Sequence, residues 1–366
     1  MLQPNTLLQN RYRVVRRIGE GGMGAVYVAT DERFGSTVAL KETFFRDAVM
    51  LRAFEREARL LNRLRHTALP RVSDHFTEGD GQFLVMEFIA GDDLSAMLEQ
   101  RGSPFPAHEV LRWADDLLDA LDYLHTQEPP VIHRDIKPQN LKLTPRGQII
   151  LLDFGLAKGT PWQASHATAS VFGYSRNYAP IEQIQGTGTD TRSDIYSLGA
   201  TLYHLLTAQP PPDALTRAMA VLNTHADPLR PASDINPRVP RAVSDVIARA
   251  MAQTPINRPQ TAAAMREELR RAATEADTND AAATVLATNA ATPTPDAATR
   301  AASEHETQLF GASAAQPTVR DAAAQPTQLL AGDAERGRAT SAGGANAGRG
   351  ASDTSVDEEA TRMASA

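Results

Sequence analysis

Apolar and polar residues alternate in short runs over Arg11–Ile18, Ala25–Ala29 and Thr37–Lys41, and a period near two predicts β-strands. From about Asp47 to Arg65 the period lengthens, and Val49, Leu51, Phe54, Ala58, Leu61 and Leu64 favour one face of a helix. Phe83–Met86 is an apolar run suited to a buried strand, and it leads into Glu87–Gly91. Helical spacing returns over Pro106–Thr126, where Trp113, Leu117, Leu121 and Leu124 share a face. A last apolar strand is expected over Ile149–Leu152.

The pattern stops near residue 272. From about Ala273 onward alanine, threonine, glycine and proline dominate, lysine is absent and Phe310 is the only aromatic residue. Such a segment buries too little apolar surface to offset the entropy of ordering it, so residues 273–366 are expected to be a disordered tail. The 366 residues therefore read as a lead over 1–10, one folded domain over 11–272 and the tail.

Composition narrows the setting. The chain has no cysteine, which removes disulfides and thiolate metal sites and suits a reducing compartment. A net charge of −7 gives no support for nucleic-acid binding. No run of eighteen apolar residues occurs, and the polar start Met1–Asn5 lacks the blocks of a signal peptide, so a cytoplasmic protein without a membrane span is expected.

The residues that carry chemistry lie between these elements. Gly19-Glu20-Gly21-Gly22-Met23-Gly24 contains G-x-G-x-x-G, a pattern whose backbone can approach phosphate oxygens. A dinucleotide site would need a helix directly after the glycines; a β-rich stretch containing Val26 follows instead, which favours a hairpin. Lys41 ends the apolar run Val38-Ala39-Leu40. Between Val131-Ile132 and a second apolar stretch lies His133-Arg134-Asp135-Ile136-Lys137-Pro138-Gln139-Asn140. In that loop Asp135 can accept a proton, Lys137 can reach the same bound group and Asn140 offers a neutral oxygen to a hard cation. Asp153-Phe154-Gly155 follows thirteen residues after Asn140, at the end of a strand.

In this order and spacing, these segments resemble the bacterial eukaryotic-like serine/threonine protein kinases. Gly21–Gly24 matches the wording of that group, as do Tyr178-Ala179-Pro180-Ile181-Glu182-Gln183 and Asp194-Ile195-Tyr196-Ser197-Leu198-Gly199. The resemblance implies an α+β, two-lobed kinase fold: a small β-rich N-lobe with one main helix over about 11–86, a hinge at 87–91 and a larger, mainly helical C-lobe over 92–272. It implies ATP and Mg²⁺ between the lobes and transfer of the γ-phosphoryl group to serine or threonine hydroxyls of proteins. Asp135 and Lys137 would be catalytic, and Asn140 and Asp153 would hold the metal. Gly19, Gly21, Gly22, Gly24, Val26, Ala39, Lys41, Glu57 and the hinge backbone at Glu87 and Ile89 would bind the nucleotide. Glu57 would pair with Lys41; Glu55 points to the opposite side of the helix. Met86 fits the border of the pocket and equally an ordinary core position. Lys137 favours serine/threonine over tyrosine acceptors, and Arg258 is expected to pair with Glu182.

Arg134 beside Asp135 suggests contacts to a phosphorylated residue between Gly155 and Ala179, with Thr168 preferred over Thr160, Ser165 and Ser170. The tail repeats short threonine motifs at Thr284, Thr307, Thr327 and Thr361, candidates for autophosphorylation and for docking FHA-type phosphothreonine readers. Lys142 departs from the resemblance, since it stands where many kinases place an aliphatic residue beneath adenine; its stem can pack there with the ammonium in water. Tyr174 and Asn177 also replace small residues. A pseudokinase-type scaffold presenting the tail to partner domains is the alternative reading, and a small-molecule phosphotransferase of related fold is another.

Overall fold

The computed structural model describes residues 2–21, 24–44, 48–153 and 176–275. Its first part is a six-stranded antiparallel sheet in the order β1-β2-β3-β4-β6-β5, built from β1 (Leu7–Leu8), β2 (Tyr12–Gly21), β3 (Gly24–Asp31), β4 (Ser36–Phe44), β5 (Val72–Glu78) and β6 (Gly81–Glu87). Leu7 and Leu8, read from sequence as part of a lead, pair with Arg13 and Tyr12, and the Leu8 side chain is buried. Two residues are too short to show a period, which is why the pattern missed them.

Alternation along the strands sorts the sheet into two faces. Val38 and Leu40 pack with Phe83, Val85, Tyr12 and Tyr27 on one side. Ala39 packs with Leu84, Met86, Phe54, Ala58 and Leu61 on the other, which is continuous with the main core. Lys41, two residues from Ala39, belongs to that second face, so the β-period itself delivers its ammonium toward the cleft. Helix α1 (Ala48–Arg63) covers this face with Phe54, Ala58 and Leu61.

After the hinge come α2 (Leu94–Arg101) and α3 (Ala107–His125), whose buried Val110, Trp113, Leu117, Leu121 and Leu124 follow the predicted spacing. A two-stranded ribbon, β7 (Leu141–Leu143) with β8 (Ile149–Leu151), carries the two loops of interest at its ends. Helix Thr191–Thr207 runs through the core, nearly every residue buried, and Asp190 with Ser193 forms a capping box at its start. Arg258, fully buried, donates to Glu182 through both terminal nitrogens at 2.6 and 3.0 Å, joining two distant segments as expected. The described chain is thus the α+β, two-lobed architecture expected: a β-rich lobe with one helix and a mainly helical lobe. The expected tail over 273–366 falls, from residue 276 on, outside the described residues.

Candidate active site

The loop 133–140 is held from below by one carboxylate. Asp194, wholly buried in the first turn of helix Thr191–Thr207, accepts from the His133 backbone N–H at 2.8 Å and from the Arg134 N–H at 2.8 Å. His125, at the end of α3, lies 2.9 Å from the same carboxylate through Nε2. These bonds support Arg134 in a left-handed conformation, φ 65°, which an L-residue adopts at a cost. The Arg134 carbonyl accepts from Gln183 Nε2 at 2.9 Å, and its Nε donates to Thr189 at 3.0 Å. His133 is fully buried, and burial pushes its pKa down, so the ring stays neutral. Nδ1 accepts from the Asp135 N–H, which fixes the tautomer with its proton on Nε2, donated to the Leu152 carbonyl at 3.0 Å.

On this base the loop gathers three side chains. Lys137 Nζ lies 3.1 Å from Asp135 Oδ2, and Asn140 Nδ2 donates to Asp135 Oδ2 at 3.0 Å and to the Asp135 carbonyl at 2.7 Å. A 3₁₀ turn over Pro138–Asn140 brings Asn140 round, and the Asn140 carbonyl accepts from Leu152 N at 2.8 Å, tying the loop to the residue before Asp153. Asp153 is also left-handed, φ 58°. Its carboxylate is held below the usual range chiefly by the charge of Lys41, and it also feels the opposing charge of Asp135.

Across the cleft Lys41 Nζ pairs with Asp153 Oδ1 at 3.0 Å. The expected partner Glu57 makes no ion pair with Lys41 among the described residues. Its carboxyl is instead pushed up to about 7 by burial, offset only partly by the charges of Arg134 and Lys41. The physical reason is competition: one ammonium faces two carboxyls, and the one already ionised holds it.

The glycine loop and hinge complete the cleft. Gly21 pairs with Gly24 at the tip of the β2–β3 hairpin, Gly19 and Lys41 both lie opposite Val26, and Ala39 lies opposite Met86. Gly24 has a structural requirement of its own: at φ 153° a Cβ would stand 1.8 Å from the Glu42 carbonyl oxygen. Gly22 lies outside the described residues. Met86 is buried in the core; the Glu87 backbone N–H donates to the Arg71 carbonyl at 2.8 Å. The Ile89 carbonyl accepts from Lys142 Nζ at 3.1 Å, so the ammonium expected in water is bound to the hinge. Asn177 donates to the Pro211 carbonyl. Phe154, Gly155, Tyr174 and the four activation-segment candidates Thr160, Ser165, Thr168 and Ser170 lie outside the described residues, as do the tail threonines.

The donor chemistry suits a hard divalent cation. Asp153 is a fully ionised carboxylate, and the amide nitrogen of Asn140 is committed to Asp135, which leaves its oxygen as a free-standing acceptor. Among the described residues no cluster of three or more His, Cys, Asp or Glu side chains forms a metal cage. One carboxylate and one amide oxygen are what Mg²⁺ needs when water and phosphate fill its other positions.

Sequence reasoning gave Asp194 only an architectural role. The signal was the one carboxylate of the helix Thr191–Thr207, set in its first turn, though nothing local names partners 60 residues away.

A two-lobed fold with an acid-bearing loop facing a lysine strand is the architecture of the protein kinase fold. The protein kinase domain family matches residues 12–269, and the chain belongs to that family, among its bacterial eukaryotic-like serine/threonine members. It is 33% identical over 259 residues to a probable serine/threonine-protein kinase of Clostridium perfringens, covering 70% of this chain and 37% of the relative. The serine/threonine-protein kinase PrkC of Bacillus subtilis is 34% identical over 269 residues, 72% of this chain and 41% of PrkC. PknL of Mycobacterium tuberculosis is 35% identical over 277 residues, 74% of this chain and 68% of PknL. The chain spans about two fifths of the length of the first two. A solved structure described as PpkA-294 apo form matches with a TM-score of 0.62 at 28% identity, covering 74% of this chain and 99% of that one. Among the described residues no helix is long and apolar enough to cross a membrane.

Proposed function

We propose that the protein is a serine/threonine protein kinase that transfers the γ-phosphoryl group of ATP to protein hydroxyls. The observation that carries this reading is the Asp135 carboxylate, held by both Asn140 and Lys137 on a loop anchored to Asp194, opposite the Lys41–Asp153 pair. Asp135 accepts the proton of the acceptor hydroxyl and orients it; Lys137, already at that carboxylate, stabilises charge on the group in transit. Lys41 and the backbone of residues 19–24 bind the phosphates, and the hinge backbone at Glu87 and Ile89, with Val26 and Ala39, binds the base. Mg²⁺ held by Asp153 and the Asn140 oxygen would neutralise phosphate charge. With Asp153 holding the metal, Glu57 would be the carboxyl left to pair with Lys41.

The same reading makes the tail threonines substrates of the kinase itself and, once phosphorylated, ligands for FHA-type domains; the four repeated motifs support it. The need for ATP supports work in the cytoplasm.

The test is incubation of the full chain with labelled ATP and Mg²⁺ beside Asp135→Asn. Label on serine or threonine of the wild type alone is expected. Equal label in both proteins, or none in either with a generic protein acceptor present, would sink the reading.

A further inference from the structure

Lys142 differs from the other cations of the cleft in its choice of partner. Lys41 and Lys137 each face a carboxylate, but Lys142 donates to a neutral carbonyl, Ile89 O, at 3.1 Å, and its Nζ lies 5.8 Å from the centroid of the Phe88 ring. No carboxylate pairs with it among the described residues. The backbone fixes this placement from several directions. Leu143 N donates to the Asp92 carbonyl at 3.2 Å, and Asp93 bridges Lys142 as an isolated antiparallel pair. Gly91, at φ 116°, comes so close that a Cβ would stand 2.2 Å from the Leu143 carbonyl oxygen. The hinge and β7 are therefore stapled together around Lys142, and its half-buried ammonium is confined to the hinge edge.

An ammonium donates and accepts nothing; at the Ile89 carbonyl it takes one lone pair and sets a positive charge beside the other, where it repels an approaching N–H. Purines differ in what they bring to such an edge. On the side of N3 and C2, adenine presents only the N3 acceptor, while guanine and 2-aminoadenine add the N2 amino donor. An aliphatic residue in place of Lys142 would leave the Ile89 carbonyl open to that amino group; the lysine sets a charged donor against it.

We propose that Lys142 is a specificity determinant of the nucleotide site: by occupying the Ile89 carbonyl it selects purines that lack a 2-amino group, and so adenine over guanine and 2-aminoadenine nucleotides. This rests on the reading that the base of ATP binds at the hinge. Lys142 touches neither phosphates nor acceptor, so its effect is on which base binds and not on transfer.

The test is equilibrium binding by calorimetry to the full chain, using ATP and 2-aminoadenosine triphosphate, which differ only by that amino group. Wild type, Lys142→Met and Lys142→Arg are compared. Methionine keeps most of the stem's packing and removes the donors; arginine keeps donors. The wild type is expected to prefer ATP by about tenfold or more, the size set by an unpaired polar group at a closed site. Lys142→Met should shrink that preference to about threefold or less, while Lys142→Arg retains most of it. If wild type and Lys142→Met bind ATP with the same preference, or the wild type shows none, the proposal falls and the ATP reading stands. If the wild type binds neither nucleotide, both fall together.

Discussion

On the catalytic-loop side, two backbone N–H groups and His125 converge on the buried Asp194 carboxylate, and Gln183 holds the Arg134 carbonyl from the other direction. On the glycine-loop side, Lys41 is held by one ion pair to Asp153, with the half-buried Glu57 a second carboxyl that the same ammonium can serve. Buried backbone groups with a single acceptor have one low-energy arrangement, because leaving them unpaired costs the full desolvation penalty. An ammonium with two candidate carboxyls has two. The acceptor side of the site is thus built as a fixed platform, and the nucleotide side as a set of contacts that can be exchanged when phosphate and metal arrive.

The comparison breaks most severely at Asp194. Asp194→Asn puts an amide N–H₂ against backbone N–H donors in the core, and we expect a loss on the order of 4 kcal/mol in stability, read by urea denaturation, together with loss of phosphotransfer. A loss confined to activity at unchanged stability would mean that the platform is not what holds the loop. Next is Arg258→Met, which leaves Glu182 without its guanidinium; removing one member of a buried pair costs roughly 3 kcal/mol. Because this pair lies away from Lys41, nucleotide affinity in the folded fraction should stay within about twofold.

The difference between the two sides also explains what could be read from the chain. Gly19–Gly24, Lys41, Asp135, Asn140 and Asp153 were legible because each belongs to a short segment whose chemistry is local. Strand period two was enough to place Lys41 on the face of Ala39, and helical spacing placed Phe54, Ala58 and Leu61 on the sheet. Partner choice was not legible. Lys41 has candidate carboxylates 16 and 112 residues away, and only the folded balance of burial and charge decides between them. Lys142 was legible as a departure, but its acceptor is a backbone carbonyl, which every residue carries and no sequence marks. Leu7–Leu8 escaped for want of length.

Gly24→Ala tests the exchangeable side through the backbone. A Cβ there would collide with the Glu42 carbonyl oxygen, so the tip of the β2–β3 hairpin must shift. We expect a cost of about 2 kcal/mol and a weaker hold on ATP, seen as a higher KM with kcat changed less. An unchanged KM would show that the position of the hairpin tip does not matter for the phosphates.

The smallest and most diagnostic change is Glu57→Gln. Burial pushes the Glu57 carboxyl from its ordinary 4.5 up to about 7, so the folded chain binds that proton more tightly than the unfolded chain does. Its contribution to stability is therefore fully present below the unfolded value of 4.5 and is lost as pH rises through about 7. Glutamine carries no such penalty. The Tm of Glu57→Gln should match the wild type near pH 4.5 and exceed it at pH 8 by about 2–4 °C, equivalent to roughly 1 kcal/mol, while phosphotransfer at pH 8 falls because Lys41 has lost its second partner. A variant less stable than the wild type at pH 8 would mean that Glu57 already holds Lys41 before nucleotide binds. The nucleotide side would then be as fixed as the platform across from it, and the contrast between the two would disappear.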